Sequence, residues 1–229
     1  MVENAHAMPR PPEISVWRRR EFLLRTYGHL LGVIVAFVLL EGFYFASGIA
    51  ETVAGALLSV SWLLVLGGFV VVAFIARNFA ASGHSRPMQY AGLAGYVVAE
   101  SIIFIPLLYV AEAVAPGAIS SAAVLTILGF VGLTAIAFRS GVDFTFVSGL
   151  LRWGGVMALV AIVGAVLFDF SLGAWFAIAM IALAGVAILY DTSRALTRMR
   201  DDEYVGAALE LFSSVALMFW YAVTLFGRR

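Results

Sequence analysis

The sequence predicts an all-α membrane protein, a bundle of seven transmembrane helices, and three observations carry that prediction. The 229 residues are 63% hydrophobic and only 12% charged, with a mean hydropathy of +1.01. That is more apolar surface than a soluble domain of this length can bury, so lipid must cover the excess. Apolar runs of about 20 residues, the length that crosses a bilayer, recur along the chain between short polar breaks. Every basic residue is an arginine, and the arginines fall on alternate breaks.

The first residues, 1–25, are polar and contain Pro9, Pro11 and Pro12, with no apolar stretch leading to a small-residue cleavage site. They are expected to form a cytosolic tail ahead of a single membrane domain, 26–229. The spans are placed at Thr26–Ala46, Leu57–Ala80, Gln89–Ala111, Ala118–Phe138, Gly149–Phe168, Gly173–Asp191 and Val205–Phe226. The breaks at Ala81-Ser82-Gly83-His84-Ser85-Arg86-Pro87 and Arg139-Ser140-Gly141-Val142-Asp143 have the composition of membrane-surface turns. Glycine within spans, as in Gly67-Gly68, Gly92-Leu93-Ala94-Gly95 and Gly154-Gly155, lets helix backbones approach closely. Pro106 removes a backbone donor inside the third span, which reads as a bend or as an ordinary membrane-helix proline.

The positive-inside rule then sets the orientation. Arg10, Arg18, Arg19, Arg20 and Arg25 precede the first span; Arg77, Arg86, Arg139, Arg152, Arg194, Arg198 and Arg200 flank the second, fourth and sixth breaks. The amino terminus is therefore expected on the cytosolic side. Only Arg228 and Arg229 fall on the opposite side, unless the last segment is re-entrant.

Composition also narrows function. A formal net charge of zero offers no global field for nucleic acid. The absence of cysteine excludes disulfides, thiolate metal sites and thiol nucleophiles. His6, His29 and His84 lack metal-ligand spacing, and no histidine lies where it could serve a serine nucleophile inside the bundle. The pair Tyr190-Asp191 lacks the Gly-x-Gly-Asp partner of an intramembrane aspartyl protease. No enzyme, cofactor or nucleic-acid partner is expected; lipid and cations are.

Acids inside the membrane demand a reason, because a carboxylate in hydrocarbon costs at least a few kcal/mol unless it faces a cavity or a partner. Asp191 ends the sixth span and Glu210 sits about one and a half turns into the seventh. Arg77 lies at a similar depth, where it either pairs with a carboxylate as a latch or snorkels to the interface. Glu210 shares a helix face with Ser214 or Ser213, so this face lines a polar path, or Glu210 simply bonds across the bundle or to a loop arginine. Glu41 and Glu100 lie deeper, and each reads as an ion-responsive group or as a structural hydrogen-bonding one.

Several segments resemble the Bax-inhibitor/YccA family, the transmembrane Bax inhibitor motif proteins. They are Ala123-Val124-Leu125-Thr126 through Phe138 to Asp143-Phe144-Thr145-Phe146, then Ile188-Leu189-Tyr190-Asp191-Thr192, then Ala207-Ala208-Leu209-Glu210-Leu211-Phe212 with Leu217-Met218-Phe219. The resemblance implies a seven-helix bundle with the last helix central, a pH-sensitive calcium leak, and residence in the bacterial cytoplasmic membrane. It also implies a proton-sharing aspartate pair on the sixth and seventh helices. Asp191 matches the first member, but Ser214 stands at the second, so Glu210, one turn earlier, is expected to replace it with a longer side chain. Asp191 and Glu210 are then the candidate calcium ligands, hard oxygen donors for a hard cation.

Overall fold

A helix that crosses hydrocarbon satisfies its own backbone, and helices account for the regular structure here. The computed structural model describes residues 16–81, 83 and 85–228. His6, Arg10, His84, Arg229 and the start of the predicted tail lie outside them. Eight α-helices occur in order among the described residues: α1 (Val16–Ala46), α2 (Ile49–Leu58), α3 (Trp62–Ala80), α4 (Arg86–Val114), α5 (Ala118–Ser140), α6 (Ser148–Leu167), α7 (Gly173–Thr197) and α8 (Tyr204–Phe226), with a 3-10 turn at Phe144–Val147 before α6. Seven of these stretches are long and apolar enough to cross a membrane. The chain is an integral membrane protein.

Two boundaries differ from expectation. α2 is an additional ten-residue helix, too short to span, created where Gly48 turns the chain at φ +77°. Its Leu57 and Leu58 fall within the second predicted span because they are as apolar as the residues after them. Helix α1 begins at Val16, so Val16–Arg25 is helical. Hydropathy registers only the hydrocarbon part of a helix that continues into the headgroup layer. Helix α8 is continuous for 23 residues and long enough to span, which disfavours the re-entrant alternative.

The end of the bundle at which α1 starts is its proximal end, and the opposite one its distal end. Among the described arginines, Arg228 alone stands at the distal end. Helix α8 is central and packs on α1, α3, α4, α5 and α7. Its buried residues include Val205, Ala208, Leu209, Leu211 and Phe212. Helix α6 is the opposite case, with Ala158 as its one buried residue and with Trp153, Val156 and Val160 on its exposed surface. In a bilayer those side chains face lipid.

Helices α3 and α4 meet most closely at Gly92, where a Cβ would fall 2.5 Å from the Ala76 carbonyl oxygen and 2.6 Å from the Ala80 amide. Pro106 is buried within a helix that continues through it. At the proximal end the links are polar. Arg19 donates to the carbonyls of Ala195 and Met199, and Arg86 donates to the Asp202 carbonyl while lying 4.7 Å from the Tyr204 ring centre. Asp143 accepts from Arg198 (2.9 Å), the Thr145 amide (3.0 Å) and the Ser193 hydroxyl (3.2 Å). Arg198, followed by Thr145, holds this exposed carboxyl well below the usual carboxylate range.

Candidate functional site

Five elements, α3, α4, α6, α7 and α8, line a partly open cavity of about 830 Å³. Its proximal end is polar, because Arg77 comes from the last turn of α3, Asp191 and Arg194 from the last two turns of α7, and Glu210, Ser213 and Ser214 from the first half of α8. Glu100 of α4 joins them. Spacings of three and four residues put Glu210, Ser213 and Ser214 on the cavity side of one helix. Beyond Ser214 the wall turns apolar and aromatic, with Phe104, Leu217, Trp220, Tyr221 and Trp62 reaching toward Thr224 and Arg228. Trp62 and Trp220 stack there, 5.8 Å between ring centres.

The sequence-derived candidates converge on one cavity, but with partners of their own. The Ser214 hydroxyl donates to Asp191 Oδ2 at 2.6 Å. Glu210 takes Arg194, 2.8 Å from Nη1 to Oε2, which is the loop-arginine alternative expected from sequence, with Arg194 lying on α7 itself. Arg77 donates to the Ser213 hydroxyl and to Tyr96 Oη, 3.3 Å away. Tyr96 in turn donates to Ser213 at 2.9 Å, and the Arg77 guanidinium lies 5.2 Å from its ring centre. The geometry therefore gives Arg77 hydroxyl partners rather than a carboxylate latch. Asp191 and Glu210 each engage a different group and do not share a hydrogen bond in this state.

Tyr96 and Arg194 complete the cluster, and sequence reasoning does not single them out. A tyrosine among apolar neighbours carries no signal of its own, and Arg194 reads as a loop cation because the apolar run stops at Asp191. Glu41 and Glu100 are buried, at 7% and 6% exposure. Both carboxyl oxygens of Glu41 and Oε2 of Glu100 lack hydrogen-bond partners among the described residues. Those oxygens do not join helices by hydrogen bonds, the structural alternative considered for them. Glu41 stands apart from the cavity, whose lining does not include it. His29 packs against Tyr90 and Tyr204, away from this site.

No cluster of three or more His, Asp or Glu suited to a metal ion occurs among the described residues. A charged group entering the proximal end would meet Asp191 engaged by a hydroxyl and Glu210 engaged by a guanidinium, with Oε2 of Glu100 unpartnered among the described residues. It would have to compete with the partners of Asp191 and Glu210. The apolar stretch between Ser214 and Thr224 has few oxygen ligands to offer.

No curated protein matches the chain significantly. The family described as Inhibitor of apoptosis-promoting Bax1 matches residues 19–229. With nearly the whole chain matched and seven membrane-length helices observed, this protein belongs to the Bax-inhibitor family.

Proposed function

We propose that the protein is a calcium-permeable, pH-sensitive leak of the bacterial cytoplasmic membrane, with its amino terminus in the cytosol and its gate at the proximal end of the cavity. The observation that supports this reading is the meeting of Asp191, Glu210 and Glu100 with Arg77 and Arg194 at one end of a membrane-long cavity. The Arg194–Glu210 pair and the Arg77–Ser213–Tyr96 cluster tie α3, α4, α7 and α8 together. Opening separates these contacts and frees oxygen ligands for a hard cation. Protons compete with the cation for these carboxylates, and with Arg194 for Glu210, which couples the gate to pH in this reading.

In this reading Glu210 stands in for the second acid of the family pair. Paired with Arg194, it is the gate residue that accompanies Asp191.

The test is calcium flux into liposomes carrying the purified protein, at two pH values, for wild type, Asp191→Asn and Glu210→Gln. Flux whose pH dependence changes in both variants is the expected result. An unchanged pH response in Glu210→Gln would remove Glu210 from the sensor. Flux no greater than that of empty liposomes would leave a non-conducting membrane partner as the better reading.

A further inference from the structure

We propose that the cavity also binds an amphipathic monocation, an alkyl- or arylalkylammonium whose charged head sits against Glu100 and whose apolar body lies along α6 and α8. The proposal rests on the reading of this cavity as a cation route and names a second class of cation that the route accepts.

At the proximal end three carboxyls, those of Glu100, Asp191 and Glu210, face two guanidiniums, those of Arg77 and Arg194. Arg194 is committed to Glu210, Asp191 receives the Ser214 hydroxyl, and Arg77 is directed to Ser213 and Tyr96. Glu100 has Tyr96 and the charge of Arg77 nearby, but one of its oxygens is left over. The residue is 6% exposed, it lines the cavity, and its Oε2 has no partner among the described residues. A buried carboxylate oxygen without a donor is costly, and one ammonium head supplies the missing bond.

The walls decide what the rest of the ligand must be. A calcium ion wants six to eight oxygen ligands, and the surface distal to Glu100 is mostly apolar and aromatic, with Ile103, Phe104, Trp62, Trp220 and Tyr221 ahead of Thr224 and Arg228. Aromatic faces suit an organic cation and its hydrocarbon. At about 830 Å³ the space falls within the usual range for small-molecule sites. Gly155 lines it with open space around the position of a Cβ, so the α6 wall is set back there. Helix α6, with Ala158 its one buried residue, gives such a molecule a way in from the bilayer.

The proposal is tested by equilibrium binding of radiolabelled 4-phenylbutylammonium to the protein in lipid nanodiscs, with binding to empty nanodiscs subtracted. Saturable binding is expected, weakened at least tenfold in Glu100→Gln and also weakened in Gly155→Leu, which fills the apolar part of the cavity without touching a charge. Each methylene removed from the probe is expected to cost about fourfold in affinity. The carboxylate of matching shape, 5-phenylpentanoate, is expected not to compete. Wild-type affinity in both correctly folded variants, or equal competition by the carboxylate, overturns the proposal. If Glu100→Gln does not fold, Gly155→Leu and the carboxylate still decide it. Calcium flux without saturable ammonium binding would sink this inference and leave the leak standing, whereas saturable, Glu100-dependent binding without flux would do the reverse.

Discussion

A carboxyl group buried without a donor is a standing cost, and Glu41 is the clearest instance. Both its oxygens are unpartnered, and it does not line the cavity that gives Glu100 its proposed role. An unsatisfied buried polar group costs on the order of 1–3 kcal/mol, while an apolar side chain of similar size loses nothing there. Glu41→Leu is therefore expected to stabilise the folded protein by about 1–3 kcal/mol, seen as a higher midpoint in thermal or denaturant unfolding in detergent. A lower midpoint would mean that the carboxyl has an interaction these contacts do not include. The same comparison separates the two deep acids, since Glu100 has Arg77 and the cavity nearby and Glu41 has neither. That both acids would be buried was legible in the sequence, from their place inside apolar runs. Which of them would face a cavity was not, because that depends on how each helix is rotated about its axis.

Between elements, small residues set how closely helices approach, and the contact of α3 with α4 depends on Gly92. A Cβ there would lie 2.5 Å from the Ala76 carbonyl oxygen, 2.6 Å from the Ala80 amide and 2.9 Å from Phe79 Cβ. Two of those atoms are backbone and cannot turn aside, so Gly92→Ala must push the helices apart. A loss of about 1–3 kcal/mol is expected, the usual range for overpacking. Gly95→Ala, one turn on and open to within 4 Å, is expected to be neutral or to gain up to about 1 kcal/mol from helix propensity. Equal melting midpoints for the two variants would show that α3 and α4 are not held at this distance. Because α3 carries Arg77 and α4 carries Tyr96 and Glu100, the same contact sets the site. The run Gly92-Leu93-Ala94-Gly95 announced close packing in the sequence but not which glycine provides it. The spans themselves were legible because lipid imposes a length on them. Helix α2 was not, since a short apolar helix and the start of a span have the same composition. That a loop arginine could take Glu210 was legible, but that it would be one on α7 was not: hydropathy ended the sixth span at Asp191, whereas hydrogen bonding carries α7 on to Thr197.

Across the whole molecule the charges are divided between two ends, and this division bears on which compartment the proposed gate faces. Arg19, Arg25, Arg77, Arg86, Arg139, Arg194 and Arg198 all lie toward the proximal end, as do Asp191 and Glu210, while Glu51, Glu112 and Asp169 lie toward the distal end. Arginine in short loops resists translocation, so the proximal end is expected to remain in the cytosol despite Arg228 at the distal one. The absence of native cysteine makes the test clean, since any thiol is an introduced one. Ser59→Cys, between α2 and α3, and Ser120→Cys, in the first turn of α5, are expected to react with a membrane-impermeant maleimide on intact spheroplasts of the expression host. Ser85→Cys, before α4, and Ser140→Cys, at the end of α5, are expected to react only after permeabilisation. All four positions are exposed, so lack of access rather than burial is what protects them. The inverted pattern would place Asp191, Glu210 and both arginines at the outer surface, so that the proposed gate would face the external compartment instead of the cytosol that the arginine distribution predicts.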